Sequence, residues 1–273
     1  MSGKGSVIFE AKLNCSFLLR QKETIVRCFN DLCIFVVLIT MSFLIDIHTH
    51  NHFFIQSDVV KLVSLMAGEK IPPDVKNCLF SYGIHPWQLE TQDTKSLIEI
   101  FEHEMTSNSF VAIGEIGIDK TRKIPLNLQI EIFEYQLFIA NKKQLPVILH
   151  VVKATNEIMQ SVSKIKPTVP MILHAFNSSK EQVMHYSKKG FYFSVGNAIH
   201  TFDSKMATSL KTIPIERLFF ETDVFQQDIV QIYRKASEIL HLDVENLRQK
   251  IFENFERCFP LSKLHFKTNT FLR

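Results

Sequence analysis

The chain has 273 residues, of which 46% are apolar and 22% charged, and its formal net charge is +3. These are ordinary globular proportions, which exclude a wholly disordered chain, and a count of only 8 glycines excludes collagen-like and glycine-rich classes. A charge of +3 is too weak to argue for a nucleic-acid partner by field alone, because committed binders carry a strong basic patch or stripe.

Residues 1–40 carry Cys15, Cys28 and Cys33 and none of the 11 histidines. The apolar run from Leu32 continues through Met41 into Phe43-Leu44-Ile45. Such a run falls short of the roughly 20 residues that span a bilayer, and no integral-membrane partner is expected. It begins too far in for a signal peptide, and no small-residue cleavage site follows. The expectation is that the functional chain starts at Met41 and that 1–40 is an upstream extension; the alternative is a membrane-surface anchor. The remaining cysteines are Cys78 and Cys258, and no two of the five form a C-x-x-C pair. That pattern predicts reduced thiols in the cytoplasm, with no zinc ribbon.

From residue 42 onward, short apolar runs alternate with longer amphipathic ones. Strands are predicted over 43–47, 59–66, 78–82, 110–114, 147–149, 171–173, 191–195 and 218–220. Several are continuous Val/Ile/Leu/Phe runs, as in strands buried on both faces of a parallel sheet. Helices are predicted over 94–104, 126–143, 155–165, 179–189, 203–211, 228–240 and 244–258, with Asn156, Ser178–Ser179 and Asp243 as start signals. Strand–helix alternation maps to a parallel α/β fold. Between His50 and Cys78 there is room for one strand but for no full crossover helix. The expected architecture is a (β/α)8 TIM barrel over 41–260 with shortened first βα units, followed by a tail over 261–273.

Metal-capable side chains recur where these strands end. Asp46-Ile47-His48-Thr49-His50 follows the first strand, and alternation puts His48 and His50 on one side. His85 ends the third strand in Gly83-Ile84-His85-Pro86, and Glu115 the fourth in Gly114-Glu115-Ile116-Gly117-Ile118-Asp119. His150 ends the fifth, His174 the sixth, and Asp223 the eighth in Glu221-Thr222-Asp223. Carboxyl ends of barrel strands all point to one mouth, so these residues are expected to converge on a metal site. Mixed imidazole and carboxylate without thiolate suits Zn²⁺ or Mn²⁺, and Mg²⁺ less well. More ligands are available than the three of one open catalytic site, so two divalent ions are expected, with one carboxylate bridging.

These motifs, in this order over about residues 42–260, resemble the TatD-related metal-dependent hydrolases of the amidohydrolase-like barrel superfamily. The closing Asn254-Phe255-Glu256-Arg257-Cys258-Phe259 is similar to that family's final helix. The resemblance implies a metal-dependent deoxyribonuclease or other phosphodiesterase, with DNA or another phosphoester as substrate. It further implies that His48, His50 and Asp223 hold one ion and His150 and His174 a second, with Glu115 between them. Asp223 would also orient or deprotonate the attacking water, and His85 and Lys153 would meet the phosphate or the leaving group.

The substrate-facing rim departs from the family pattern. His150-Val151-Val152-Lys153 stands where His-x-Arg is usual, Val224-Phe225 stands where a small residue and proline follow the Glu-Thr-Asp motif, and Asn51-His52 stands where Leu-Asp is common. Lysine meets a phosphate as a point charge, without a bidentate fork. The alternatives are an amidohydrolase-like enzyme cleaving a C–N bond and a non-catalytic metal-binding module.

Trp87 is expected to pack rather than stack on a base. Lys120, Arg122 and Lys123 either steer an anion or sit on a solvated loop. His52, His103, His185, His200, His241 and His265 are expected at the surface, and Cys78 in the core. No serine-hydrolase, P-loop or dinucleotide fingerprint occurs.

Overall fold

The computed structural model describes residues 24–29, 32–37, 43–51, 58–73, 75, 77–107, 109–201, 205–225 and 228–259. Residues 1–41 and 42–273 are separate units. In the first, β1 (Thr24–Phe29) and β2 (Leu32–Val37) pair antiparallel. The rest of the expected extension, and the expected tail at 261–273, lie outside the described residues.

In the second unit eight parallel strands follow one another in chain order: β3 (Leu44–Thr49), β4 (Val59–Met66), β5 (Cys78–Gly83), β6 (Ala112–Asp119), β7 (Val147–Val152), β8 (Met171–Leu173), β9 (Tyr192–Val195) and β10 (Leu218–Phe220). All eight predicted strands are present. The edges meet just beyond β10, where Asp223 N donates to His48 O at 3.0 Å and His50 N to Asp223 O at 3.1 Å. The expected TIM barrel is therefore nearly closed, and the seam that closes it is made by three of the expected metal-site residues.

Helices α1 (Thr94–Glu104), α2 (Leu126–Lys143), α3 (Thr155–Ile165), α4 (Lys180–Ser187), α5 (Lys205–Ser209), α6 (Ile229–Leu240) and α7 (Val244–Cys258) cover the outside. Their buried residues recur at helical spacing, as in Ile229, Ile232, Tyr233 and Ala236 of α6. The Tyr233 hydroxyl accepts from Ile45 N and donates to Ile45 O, both at 3.1 Å, which fixes α6 against β3. Asp243 caps α7 by accepting from Glu245 N and Asn246 N. Asn156 is not a start signal: it lies inside α3, whose N-cap is Ala154. No helix is found among the described residues between Asn51 and Cys78, so the first two connections are as short as expected. Cys78 is half-buried at the edge of the core rather than in it.

The largest departure is β6. It was expected to stop at Gly114, but it runs to Asp119 and is buried throughout, so Glu115 sits within the strand rather than at its end. The glycines explain the path. A Cβ on Gly117 would meet His150 O at 1.9 Å, and one on Gly114 would meet Ile148 Cβ at 2.6 Å. Bare backbone at these two points lets β7 lie close against β6, at Gly114 where their register shifts between Ile113 and Ile116 and at Gly117 opposite His150. Close approach here brings His150 to Glu115. Gly117→Ala therefore forces backbone against backbone, and a loss at or above the roughly 3 kcal/mol upper end of ordinary overpacking is expected. Urea unfolding followed by circular dichroism measures it; a variant within about 1 kcal/mol of wild type would show that β6 and β7 separate easily.

Candidate metal centre

Glu115 is only 5% exposed and stands at the middle of the site. Its two oxygens face different partners. Oε1 lies 2.5 Å from His150 Nδ1, 2.6 Å from His174 Nε2 and 3.3 Å from His85 Nε2. Oε2 lies 3.5 Å from His48 Nε2 and 3.7 Å from His50 Nε2. Burial by itself would raise the Glu115 carboxyl, but the charge of His174 and hydrogen bonds from His150 and His174, with His50 nearby, outweigh it and hold the group well below its usual range. His174 responds in the opposite sense: burial would lower it, yet Glu115 and Glu221 hold it well above its ordinary value.

Asp223 completes the other half. Its Oδ1 is 3.6 Å from His48 Nε2 and 3.8 Å from His50 Nε2. Its backbone is left-handed, with φ of 53°, so the side chain turns into the mouth directly after the seam. Burial raises this carboxyl, but His48 and His174 together bring it below its usual value. His48 is fully buried, and neither of its ring nitrogens has a hydrogen-bond partner among the described residues. Buried polar atoms are nearly always paired, so an orphan demands a reason. Ligand atoms held about 2.0–2.2 Å from one ion sit roughly 3–4 Å apart. The spacings around His48, His50 and Asp223 match that and are too long for hydrogen bonds. The donor set therefore fits a divalent ion, and the cluster is able to hold metal.

Three further carboxylates, not singled out in the sequence as site residues, support the cluster. Glu221 Oε1 accepts from Ala175 N at 2.5 Å and lies 3.6 Å from His174 Nδ1. Asp119 Oδ2 lies 3.5 Å from His150 Nε2. Each therefore faces the imidazole nitrogen that points away from Glu115, which is how a ligating ring is oriented. Asp46 accepts from Thr222 N at 2.9 Å and Thr222 Oγ1 at 2.7 Å, beneath His48. Burial pushes Asp46 up to about 7, although both Thr222 bonds act the other way.

His85 is buried, and its Nδ1 accepts from Trp87 N at 3.2 Å. That bond occupies the Nδ1 lone pair, so the neutral ring carries its proton on Nε2 and points a donor at Glu115. Burial pushes His85 below its ordinary value despite Glu115. Its loop is fixed by Gln136 of α2, whose amide accepts from Ile84 N at 2.7 Å and donates to Ile84 O at 3.1 Å.

Lys153 is exposed just past β7, with no side-chain hydrogen bond or ion pair among the described residues, so the structure does not join it to the cluster. Trp87 does not pack inside as expected. It is 46% exposed, its indole N–H donates to Asp119 at 2.8 Å, and Arg122 lies 5.1 Å above its ring. Arg122 pairs with Glu90 and Lys120 with Glu157, so neither is a free steering charge. His103, His185, His200 and His241 are at the surface as expected, while His52 and His265 lie outside the described residues.

A family model described as TatD related DNase matches residues 23–260. The chain belongs to this family. Over 147 residues it is 32% identical to an uncharacterized metal-dependent hydrolase, YabD, of Bacillus subtilis, a match covering 52% of this chain and 56% of that one. Over 154 residues it is 28% identical to a protein named Deoxyribonuclease Tat-D of Schizosaccharomyces pombe, covering 52% and 49%. A third relative, named 3'-5' ssDNA/RNA exonuclease TatD, from Citrobacter koseri, is 28% identical over 54% of this chain and 57% of its own. The chain thus spans about half the length of these curated relatives. The crystal structure of the TatD homolog YJJV of Escherichia coli superimposes with a TM-score of 0.70 at 22% identity, over 80% of this chain and 98% of that one, a likeness of fold. No helix among the described residues is long and apolar enough to cross a membrane.

A divalent ion at about one hundred times its Kd is expected to stabilise the folded chain by about 2.7 kcal/mol. For a domain of this size that is roughly 5–10 °C in Tm. Scanning calorimetry of protein dialysed against EDTA and then titrated with Zn²⁺ or Mn²⁺ checks this. Glu115→Gln should cancel the shift; a shift that survives the substitution places the metal elsewhere.

Proposed function

We propose that this protein is a metal-dependent phosphodiesterase acting on nucleic acid, with its functional domain at 41–260 in a cytoplasmic protein. The observation that carries the reading is the division of Glu115, whose oxygens face His150 and His174 on one side and His48 and His50 on the other. In this reading His48, His50 and Asp223 would hold one divalent ion and His150 and His174 a second, with Glu115 between them. The relatives named as a deoxyribonuclease and a 3'-5' ssDNA/RNA exonuclease support nucleic acid as the substrate class. Imidazole and carboxylate without thiolate favour Zn²⁺ or Mn²⁺ over Mg²⁺.

When bound, such a pair acidifies water and neutralises charge on the phosphoryl group. The chain's own residues do the rest. Asp223, held ionised beside His48 and His174, takes a proton from the attacking water as its oxygen bonds to phosphorus and the ester P–O bond on the far side breaks, the departing oxygen taking its proton from solvent. His85 cannot act as the acid, because giving up its Nε2 proton would leave an anionic ring. It serves instead as a neutral donor to a phosphate or departing oxygen, a role its Nδ1 bond to Trp87 N enforces. Lys153, exposed on the rim, supplies a point charge to a neighbouring phosphate.

Two substitutions test this on a single-stranded oligonucleotide with added Mn²⁺. Glu115→Gln should abolish cleavage, because both halves of the site depend on that carboxylate. His85→Ala should lower kcat by roughly 10²–10³, the effect of one lost transition-state donor. Turnover unchanged in Glu115→Gln, or hydrolysis of amides but not of phosphodiesters by wild type, would overturn the assignment.

A further inference from the structure

Beside Asp223 lies a cleft of about 260 Å³, whose walls include Asn177, Asn197, Glu221, Asp223 and Phe225. We propose that this cleft, resting on the phosphodiesterase reading above, binds one unpaired nucleobase next to the scissile phosphate, with Phe225 as its stacking platform. Three features select that occupant.

The first is charge. The two charged side chains on the cleft are carboxylates, Glu221 and Asp223, and no lysine or arginine lines it, so away from the ion that Asp223 would hold nothing there pairs with a phosphate and the occupant is an uncharged part of the substrate. The Asn177 and Asn197 amides each offer both donors and an acceptor. A base edge, with its mixture of N–H donors and acceptors, matches that inventory.

The second is the aromatic face. Phe225 is 48% exposed beside the catalytic cluster, and its ring has no aromatic or cationic partner among the described residues. Its backbone N–H donates to Thr222 O at 3.0 Å, which ties its main chain to the turn that carries Asp223. Trp87, the other exposed aromatic at the mouth, already has Arg122 over its ring. Of the two, Phe225 is the one with a face to offer. The third is size. Sites for drug-sized ligands occupy about 300–1,000 Å³, so a cleft of about 260 Å³ suits one planar ring rather than a base pair.

The test compares a short single-stranded oligonucleotide with the same strand made abasic at the residues flanking the cut, using wild type, Phe225→Ala and Phe225→Tyr with Mn²⁺. Phe225→Ala should raise KM for the base-bearing strand roughly 5- to 150-fold, the range of base–aromatic stacking. It should leave the abasic strand unchanged, and Phe225→Tyr should retain wild-type behaviour. Fluorescence anisotropy of a labelled strand in EDTA should show the same base-dependent loss, independent of turnover. Equal losses on both strands, or none, would overturn the stacking role. Wild type that cleaves no phosphodiester sinks the enzymatic reading and this proposal together; cleavage indifferent to the base sinks this proposal alone.

Discussion

One buried carboxylate organises this molecule. Removing a charge from water costs several kcal/mol even after relaxation, and Glu115 is almost wholly enclosed in β6. The fold tolerates that charge because imidazoles arrive from four other strands: His48 from β3, His85 from beyond β5, His150 from β7 and His174 from beyond β8. Each arrival has a backbone cause. His150 depends on the absence of a side chain at Gly117, and His48 and His50 on the seam made through Asp223. The pairing of Glu115 with His174 also has a defined pH window in the metal-free chain. A carboxylate held below its ordinary value contributes stability above that value, and an imidazole held above its own contributes until pH rises through the folded pKa. The interaction, counted once, is present between those limits. Metal and proton compete for the same nitrogens there, so ion binding releases protons.

Around the histidines a ring of neutral and acidic groups keeps the imidazoles aimed. Glu221 and Asp119 sit behind His174 and His150, and Asp46 and Thr222 lie beneath His48. On α2, Gln129 and Gln136 share one buried face and treat the barrel's loops as strand partners. Gln129 accepts from Asp119 N at 2.8 Å and donates to Asp119 O at 3.2 Å, as Gln136 does for Ile84. Two side-chain amides thereby satisfy backbone that leaves the sheet at the mouth, where unpaired polar groups would each cost roughly 1–3 kcal/mol. Rigidity at the open end of the barrel comes from a helix outside it.

The fold and the first ring of the site were legible because both are written in local patterns. Continuous apolar runs located all eight barrel strands, and α1, α2, α3 and α7 have the expected bounds, because amphipathic periodicity and caps such as Asp243 act over a few residues. Histidines at strand ends were legible because a parallel barrel sends every such end to one mouth. The supporting residues were not. Gln129 and Gln136 look like ordinary helix residues until α2 is docked, and Glu221 and Asp46 differ from surface acids only by burial. The extension of β6 past Gly114 is not legible for a related reason: the apolar run breaks at Gly114, while here the glycines serve close strand approach. Trp87 was placed inside on frequency alone, whereas its Asp119 bond and Arg122 contact hold it half out of the barrel.

On the proposed reading, the mouth has to engage a polyanion from a nearly neutral chain. The net charge is only +3, and two cations near the site, Lys120 and Arg122, are tied to Glu157 and Glu90. Long-range steering is therefore weak, and a large salt dependence, which follows from many phosphate contacts, does not belong to this surface. On that reading, recognition falls to short-range features: a neutral donor at His85, the exposed Lys153, and the amides and aromatic ring of the cleft beside Asp223. If the substrate is a nucleic-acid strand, such contacts act only once its end is already in the mouth. Selection by fit at a narrow opening, rather than capture by field along a duplex, is the mode of recognition this electrostatic arrangement supports.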